Sequence, residues 1–284
     1  MRARWETFLI PPLVVSFLLF AIPQFVFLRT SLFKDLGLGR FGSALDLANY
    51  TQFFLDPFYL RSLGLTTYLS AVVVALALLF GFPVAYVLAR MRSRWASVLL
   101  AVIVIASFIT VVIKVLGLII IFSASGPMNG LLLALRIVES PIQMLGNRTG
   151  VVIGLLHYTL AFMVLVLFSM VQTIPRSLEE AAQIHGASRW RVFQRVVIPL
   201  TLPGLIAGSL MVFNLCMGAF TSAALLGGGK VLTLPVLIQR TIILETRYGM
   251  GAALSAILLV AVLLINLLSV ALVFRARGAR PAPA

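Results

Sequence analysis

Six long apolar stretches, nearly free of charge, leave this 284-residue chain few folds to choose from. They are Phe8–Leu28, Leu65–Ala89, Trp95–Phe122, Val151–Ile174, Leu200–Leu226 and Met250–Phe274, and only the third holds a formal charge, Lys114. About 20 such residues, rising about 1.5 Å each, cross the roughly 30 Å hydrocarbon core of a bilayer as one helix. A spanning segment in lipid must satisfy its own backbone hydrogen bonds, which leaves helices or closed barrels. A barrel reads as short alternating strands, not as continuous runs. The pattern therefore predicts an all-α membrane protein with six transmembrane helices. Composition agrees: 61% of residues are hydrophobic and 11% charged, where a soluble domain carries about a quarter charged.

Cations set the direction. The 22 Lys and Arg outnumber 8 Asp and Glu, and they collect at the ends of the apolar runs, so the partner they imply is anionic lipid and not nucleic acid. With the N-terminus inside, segments 1–7, 90–94, 175–199 and 275–284 hold 12 Lys and Arg in 47 residues, against 9 in the 86 residues of 29–64, 123–149 and 227–249. The positive-inside rule then predicts both termini cytoplasmic. Arg2 and Arg4 precede the first stretch as they would a signal peptide, but the apolar run is too long and lacks a small-residue cleavage site, so it reads as a retained anchor. The chain is expected to be a single transmembrane domain over 1–284. Pro11, Pro12, Pro23 and Gly81-Phe82-Pro83 punctuate the spans, and a bend is expected near Phe82. The short tail Arg280–Ala284 is the only biased segment, and the single Cys216 excludes a disulfide framework.

The inside loop Pro175–Pro199 carries the most information. Ser177 and Glu180 have capping-box spacing, and Glu179 and Glu180 suit a helix N-terminus. Gly186 suits the left-handed residue that ends a helix, and Ser188 suits the cap of a second one running to Pro199. The expected element is a helix, a corner and a helix. Its alternative is a solvated loop whose arginines meet lipid.

Glu180-Ala181-Ala182, three residues, Gly186, nine residues, then Val196-Val197-Ile198-Pro199 resembles the Glu-Ala-Ala loop of ATP-binding-cassette (ABC) importer permeases, with Val196 and Ile198 in place of Ile and Leu. Asn49-Tyr50, Asp56–Tyr59, Gly81–Tyr86, Ser140-Pro141-Ile142, Gly154-Leu155, Pro199–Gly204 and Leu226-Gly227-Gly228 look most like the spermidine/putrescine branch. The resemblance implies the type I importer fold, a bacterial inner-membrane location, and half of a translocation pathway. It implies two ATPase subunits, each gripping one loop, an extracytoplasmic solute-binding protein, and a second permease, homologous or identical. The ATPase contact would fall to Glu180, Ala181, Ala182 and Gly186, with His185 and Arg189. The implied solute is a polyamine or similar small molecule, while iron(III), thiamine, phosphonate and opine permeases share many of these features.

The chain itself needs no cofactor. Gly227–Lys230 is no phosphate-binding loop, because Ala224 and Val231 stand where glycine and Ser/Thr are required, so ATP and magnesium belong to partner subunits. Inside the spans, Lys114 either faces a cavity or snorkels to the outer interface. Asn214, Thr221 and Ser222 either line the pathway or bond their own backbone. His157 and Tyr158 read as a packing pair, and Asn266 as interhelical glue. An ion-coupled secondary transporter would show intramembrane carboxylates and inverted repeats, and neither is present. A membrane enzyme would need a catalytic set, and no His-Glu-x-x-His or Gly-x-Ser-x-Gly sequence occurs.

Overall fold

The computed structural model describes residues 9–278. Arg2, Arg4 and Phe8, and the tail Arg280–Ala284, lie outside the described residues. Among the described residues, six helices are long and apolar enough to cross a membrane: Ile10–Ser31, Pro57–Arg90, Val111–Ala134, Arg148–Gln172, Arg189–Met217 and Tyr248–Ala271. The expected six-span helical architecture is therefore present, with one β-hairpin outside the spans. The chain divides into two compact units, one of Met1–Leu63 with Leu234–Ala284 and one of Gly64–Thr233.

In the first unit, α1 (Ile10–Ser31) packs on α13 (Tyr248–Gly278). A hairpin of β1 (Phe33–Gly37) and β2 (Arg40–Leu45) and a short α2 (Ala48–Leu55) follow α1. The hairpin was not expected from the apolar pattern. Its turn holds Leu38 and Gly39 at φ 50° and 73°, the left-handed pair that matches strand twist. Buried Asn49 ties the hairpin down, donating from Nδ2 to the Ser31 carbonyl at 3.0 Å and the Phe33 carbonyl at 2.8 Å. The Asp35 carboxylate accepts from the Met250 N–H at the start of α13.

The second unit holds most of α3 (Pro57–Arg90), then α4 (Arg94–Phe108), α5 (Val111–Phe122), α6 (Pro127–Ala134) and α7 (Arg148–Gln172). The expected third span, Trp95–Phe122, is two helices. Ile109 and Thr110 turn extended, with ψ of 129° and 146°, and the Thr110 hydroxyl caps the Ile113 N–H. The 15 residues of α4 rise only about 22 Å, and the span lies further on, over Val111–Ala134, where α5 and α6 are separated by a turn at Ser123–Gly126. Buried Asn129 pins the segment after it, bonding the Ser123 carbonyl and both backbone groups of Ile142.

Against α7 lies α10 (Ile198–Met217), lengthwise. Gly204 and Gly208 on α10 are one helical turn apart and face α7, so the backbones approach as in a small-x-x-x-small membrane contact. Any Cβ at Gly204 would meet Met170, and one at Gly208 would come within 2.9 Å of Met163 Sδ. Gly81 on α3 faces Met163 from the other side, its Cβ position 3.1 Å from Cγ. The Gly81-Phe82-Pro83 sequence thus serves a close helix crossing, and α3 runs through Pro83 as one helix. The fifth span differs from expectation at both ends. It begins at Arg189 and breaks at Gly218–Phe220, and α11 (Thr221–Leu226) follows as a separate turn.

Gly204→Val should overpack the α7–α10 contact and cost about 1–3 kcal/mol. A lowered thermal midpoint of the detergent-purified chain, with Gly64→Ala as a control where nothing lies within 4 Å, is the check.

Candidate functional site

The elbow between the fourth and fifth spans is built from α8 (Arg176–Ile184) and α9 (Arg189–Val192). The expected capping box does not form: Pro175 is the N-cap of α8, and no side chain caps it. The corner is as expected. Gly186 sits at φ 82°, where an L side chain is strained, and the Ala187 N–H returns to the Ala182 carbonyl at 3.0 Å. Ser188 then caps α9, accepting from the Arg191 N–H.

The second helix does not end near Pro199. It widens into a π turn over Phe193–Val197 and continues without interruption as α10. Pro199 has no N–H to return to the preceding turn, and a single wide turn just before it accommodates the ring. Arg189–Met217 is therefore one helical run of 29 residues.

What holds the elbow is Glu179. Its side chain is buried at 8% exposure, one Oε accepting from Arg90 Nε at 2.7 Å and the other from the Tyr86 hydroxyl at 2.9 Å. Arg90 also donates to the Ile174 carbonyl at 3.1 Å. From the other side, Arg176 donates to the Ala89 and Arg90 carbonyls, satisfying acceptors left open at the C-terminus of α3. Phe193, in the π turn, packs edge-on against both Phe82 and Tyr86 and is stacked by Trp190. The last turns of α3 thus grip both arms of the elbow.

Glu180, Ala181, His185, Gly186 and Arg189 are exposed, and Ala182 is half-buried; Glu180 and Arg189 border the groove that Tyr86, Arg90 and Glu179 also line. Leu178 and Ile184 join them, Ile184 at 85% exposure.

The residues expected in the pathway are dispersed. Lys114 is 9% exposed on α5, its ammonium 6.0 Å from the centroid of the Tyr158 ring on α7, turned inward. Tyr158 in turn packs edge-on against Phe162. Ser222 is fully buried at the start of α11, and its hydroxyl has no hydrogen-bond partner among the described residues. Thr221 is half-buried beside it, and Asn214 is exposed on α10. One helical turn links the two clusters: Leu118, Leu226 and Gly154 meet in one layer, and Lys114, Ser222 and Tyr158 each lie four residues away.

Residues 77–278 match the family described as binding-protein-dependent transport system inner membrane component. The chain belongs to that family. It is a multi-pass inner-membrane permease subunit of a binding-protein-dependent ABC importer, and ATP hydrolysis is the work of separate subunits. It is 31% identical over 245 residues to the spermidine/putrescine transport system permease protein PotB of Haemophilus influenzae, covering 86% of this chain and 85% of that one. To PotB of Escherichia coli it is 34% identical over 209 residues, 74% of this chain and 76% of the relative. A bacterial ABC transporter involved in import of the acidic polysaccharide alginate shares the fold, with a TM-score of 0.77 at 20% identity over 95% of this chain and 96% of that one.

Removing Arg90 should leave a buried carboxylate unpaired at a cost of about 3–5 kcal/mol, while replacing both partners should cost far less. Arg90→Met, Glu179→Met and the double variant, compared by protease cutting within 185–189, test this. The double variant should be cut more slowly than Arg90→Met.

Proposed function

We propose that this permease imports a polyamine or similar small solute and that its elbow is the element through which ATPase subunits drive it. The observation that carries the coupling role is the outward face of the elbow. Leu178, Ala181 and Ile184 present apolar surface on a short helix whose other side is clamped to α3. Exposed apolar groups on a rigid element outside a bundle suit a protein partner. Glu180, Ala181, Ala182, His185, Gly186 and Arg189 form the contact, and the cation excess beside it puts the elbow and both termini in the cytoplasm. Two ATPases, with ATP and magnesium, close on two elbows, and a second permease, homologous or identical, completes the pathway.

Such a gate is a two-state element biased by nucleotide. Turning it from 1:99 to 99:1 takes about 5.5 kcal/mol of differential binding. A connector that bends would dissipate this bias, whereas the Glu179 clamp and the continuous run from Arg189 pass motion of α8 to α3 and α10. On the pathway side we assign Lys114, Asn214, Thr221 and Ser222.

The polyamine reading rests on 31–34% identity to PotB over 74–86% of this chain. No carboxylate lies within the six stretches, so recognition of a cation falls to aromatic faces, the solute-binding protein and the partner permease. Uptake of labelled spermidine by cells carrying this transporter as their sole polyamine route tests the substrate.

Three outcomes are expected for the elbow. Ile184→Glu should leave the permease inserted but reduce ATPase co-purification about tenfold or more, as loss of one central interface contact does. Gly186→Leu, strained at φ 82°, should insert normally and fail to support uptake. In a Cys216→Ser background, Ser177→Cys should react with an impermeant maleimide only after the membrane is opened.

A further inference from the structure

Beneath the elbow, a groove of about 1210 Å³ lies between α3 and the run from Arg189 into α10. Its walls change character along its length. From Ala75 to Tyr86 on α3 the lining is apolar, with Leu79, Phe82 and Pro83, faced by Ile198 and Leu205 of α10. That length of helix is about 16 Å, close to the half-thickness of a hydrocarbon core about 30 Å across. At the elbow end the lining becomes Tyr86 and Trp190, then Arg90, Arg92, Arg176 and Arg189 with Glu179 and Glu180.

The charges at this mouth are not equally committed. Arg90 is spent on Glu179, and Arg176 on the carbonyls of Ala89 and Arg90. Arg92 and Arg189 are exposed and form no ion pair among the described residues. Aromatic residues prefer the headgroup level of a membrane, and Tyr86 and Trp190 sit between the apolar walls and the free arginines. An ammonium or a neutral solute would gain nothing from two unpaired guanidiniums, and a free phosphate nothing from an apolar slot of leaflet depth. Both are used by one molecule that is anionic at one end and hydrocarbon at the other.

We propose that this groove binds an anionic phospholipid, its phosphate on Arg92 and Arg189 and its acyl chains between α3 and α10. Basic pockets between membrane helices recognise such headgroups, each cation contributing to the attraction. The lipid would lie against Phe82, Tyr86 and Trp190, the same side chains that surround Phe193 at the root of the elbow. Lipid composition would then set how firmly the elbow is held. The inner-leaflet placement rests on the cytoplasmic elbow proposed above, whereas the binding itself does not.

The test is native mass spectrometry of the assembled transporter released from nanodiscs of phosphatidylcholine and phosphatidylglycerol, with both leaflets alike so that sidedness plays no part. The wild type should retain phosphatidylglycerol over phosphatidylcholine. Arg92→Gln with Arg189→Gln should weaken retention roughly thirtyfold, the effect of two surface cations. Leu79→Trp, at a side chain already 64% exposed, should abolish it by filling the slot without disturbing the core. Equal retention in all three proteins would overturn the proposal, as would no preference between the two lipids. So would an efficient disulfide from Leu79→Cys to a helix of the second permease, which would make that helix the occupant. Because Arg189 is also assigned to the ATPase contact, Arg92→Gln alone is the separating arm: it should weaken lipid retention roughly fivefold while ATPase co-purification and maleimide labelling of the elbow stay as in the wild type, so the import reading stands or falls separately.

Discussion

A single buried carboxylate organises the elbow between the fourth and fifth spans. Glu179 accepts from Arg90 and Tyr86, residues about 90 positions earlier at the end of α3. Taking both charges out of water costs several kcal/mol per ion, and close geometry with further hydrogen bonds is needed to offset that. Here the further bonds exist: Arg90 also reaches the Ile174 carbonyl, and Arg176 closes the end of α3. The reward is less stability than uniqueness of arrangement. An apolar pairing would tolerate several orientations of α8, whereas a hydrogen-bonded carboxylate accepts one.

That division of labour explains the side-by-side acidic residues. Glu179 turns inward and is consumed by the clamp, and Glu180, one residue or 100° further round the helix, is left exposed. The small Ala181 and Ala182 follow, leaving the outer face flat enough for another protein to approach. The split of α8 is therefore between a face consumed by its own bundle and a face left exposed.

Much of this was legible in the sequence because the signals are local. Six apolar runs give six spanning helices, Gly186 takes the left-handed corner, and Ser188 caps the arm that follows. The misreadings have two causes: contacts between residues far apart in the chain, and backbone geometry that hydropathy does not report. Ser177 and Glu180 have the right spacing for a capping box, but Glu179 and Arg176 are drawn to α3, and Pro175 becomes the cap. The break at Ile109–Thr110 sits inside an unbroken apolar run, where hydropathy is blind to backbone geometry. Nothing in the local sequence marks Asn129, and its burial against Ser123 and Ile142 appears only in three dimensions. Gly204 and Gly208 could have been found, since small residues four apart in a membrane helix are a contact signal.

The transition from elbow to membrane bears most on mechanism. A flexible hinge at Pro199 would decouple the two, and proline inside a helix usually supplies one. Instead, the extra residue of the π turn at Phe193–Val197 absorbs the missing donor upstream of the ring, and the helix continues. Phe193 stands in that turn and is held on three sides by Phe82, Tyr86 and Trp190. The widened turn is thus braced by α3 at the level where Tyr86 reaches Glu179. Displacement of α8 is opposed by the clamp on one side of α3 and by this aromatic contact on another. The three pieces are therefore packed as one, and the close glycine contacts of α10 on α7 join them to the helix that carries Tyr158.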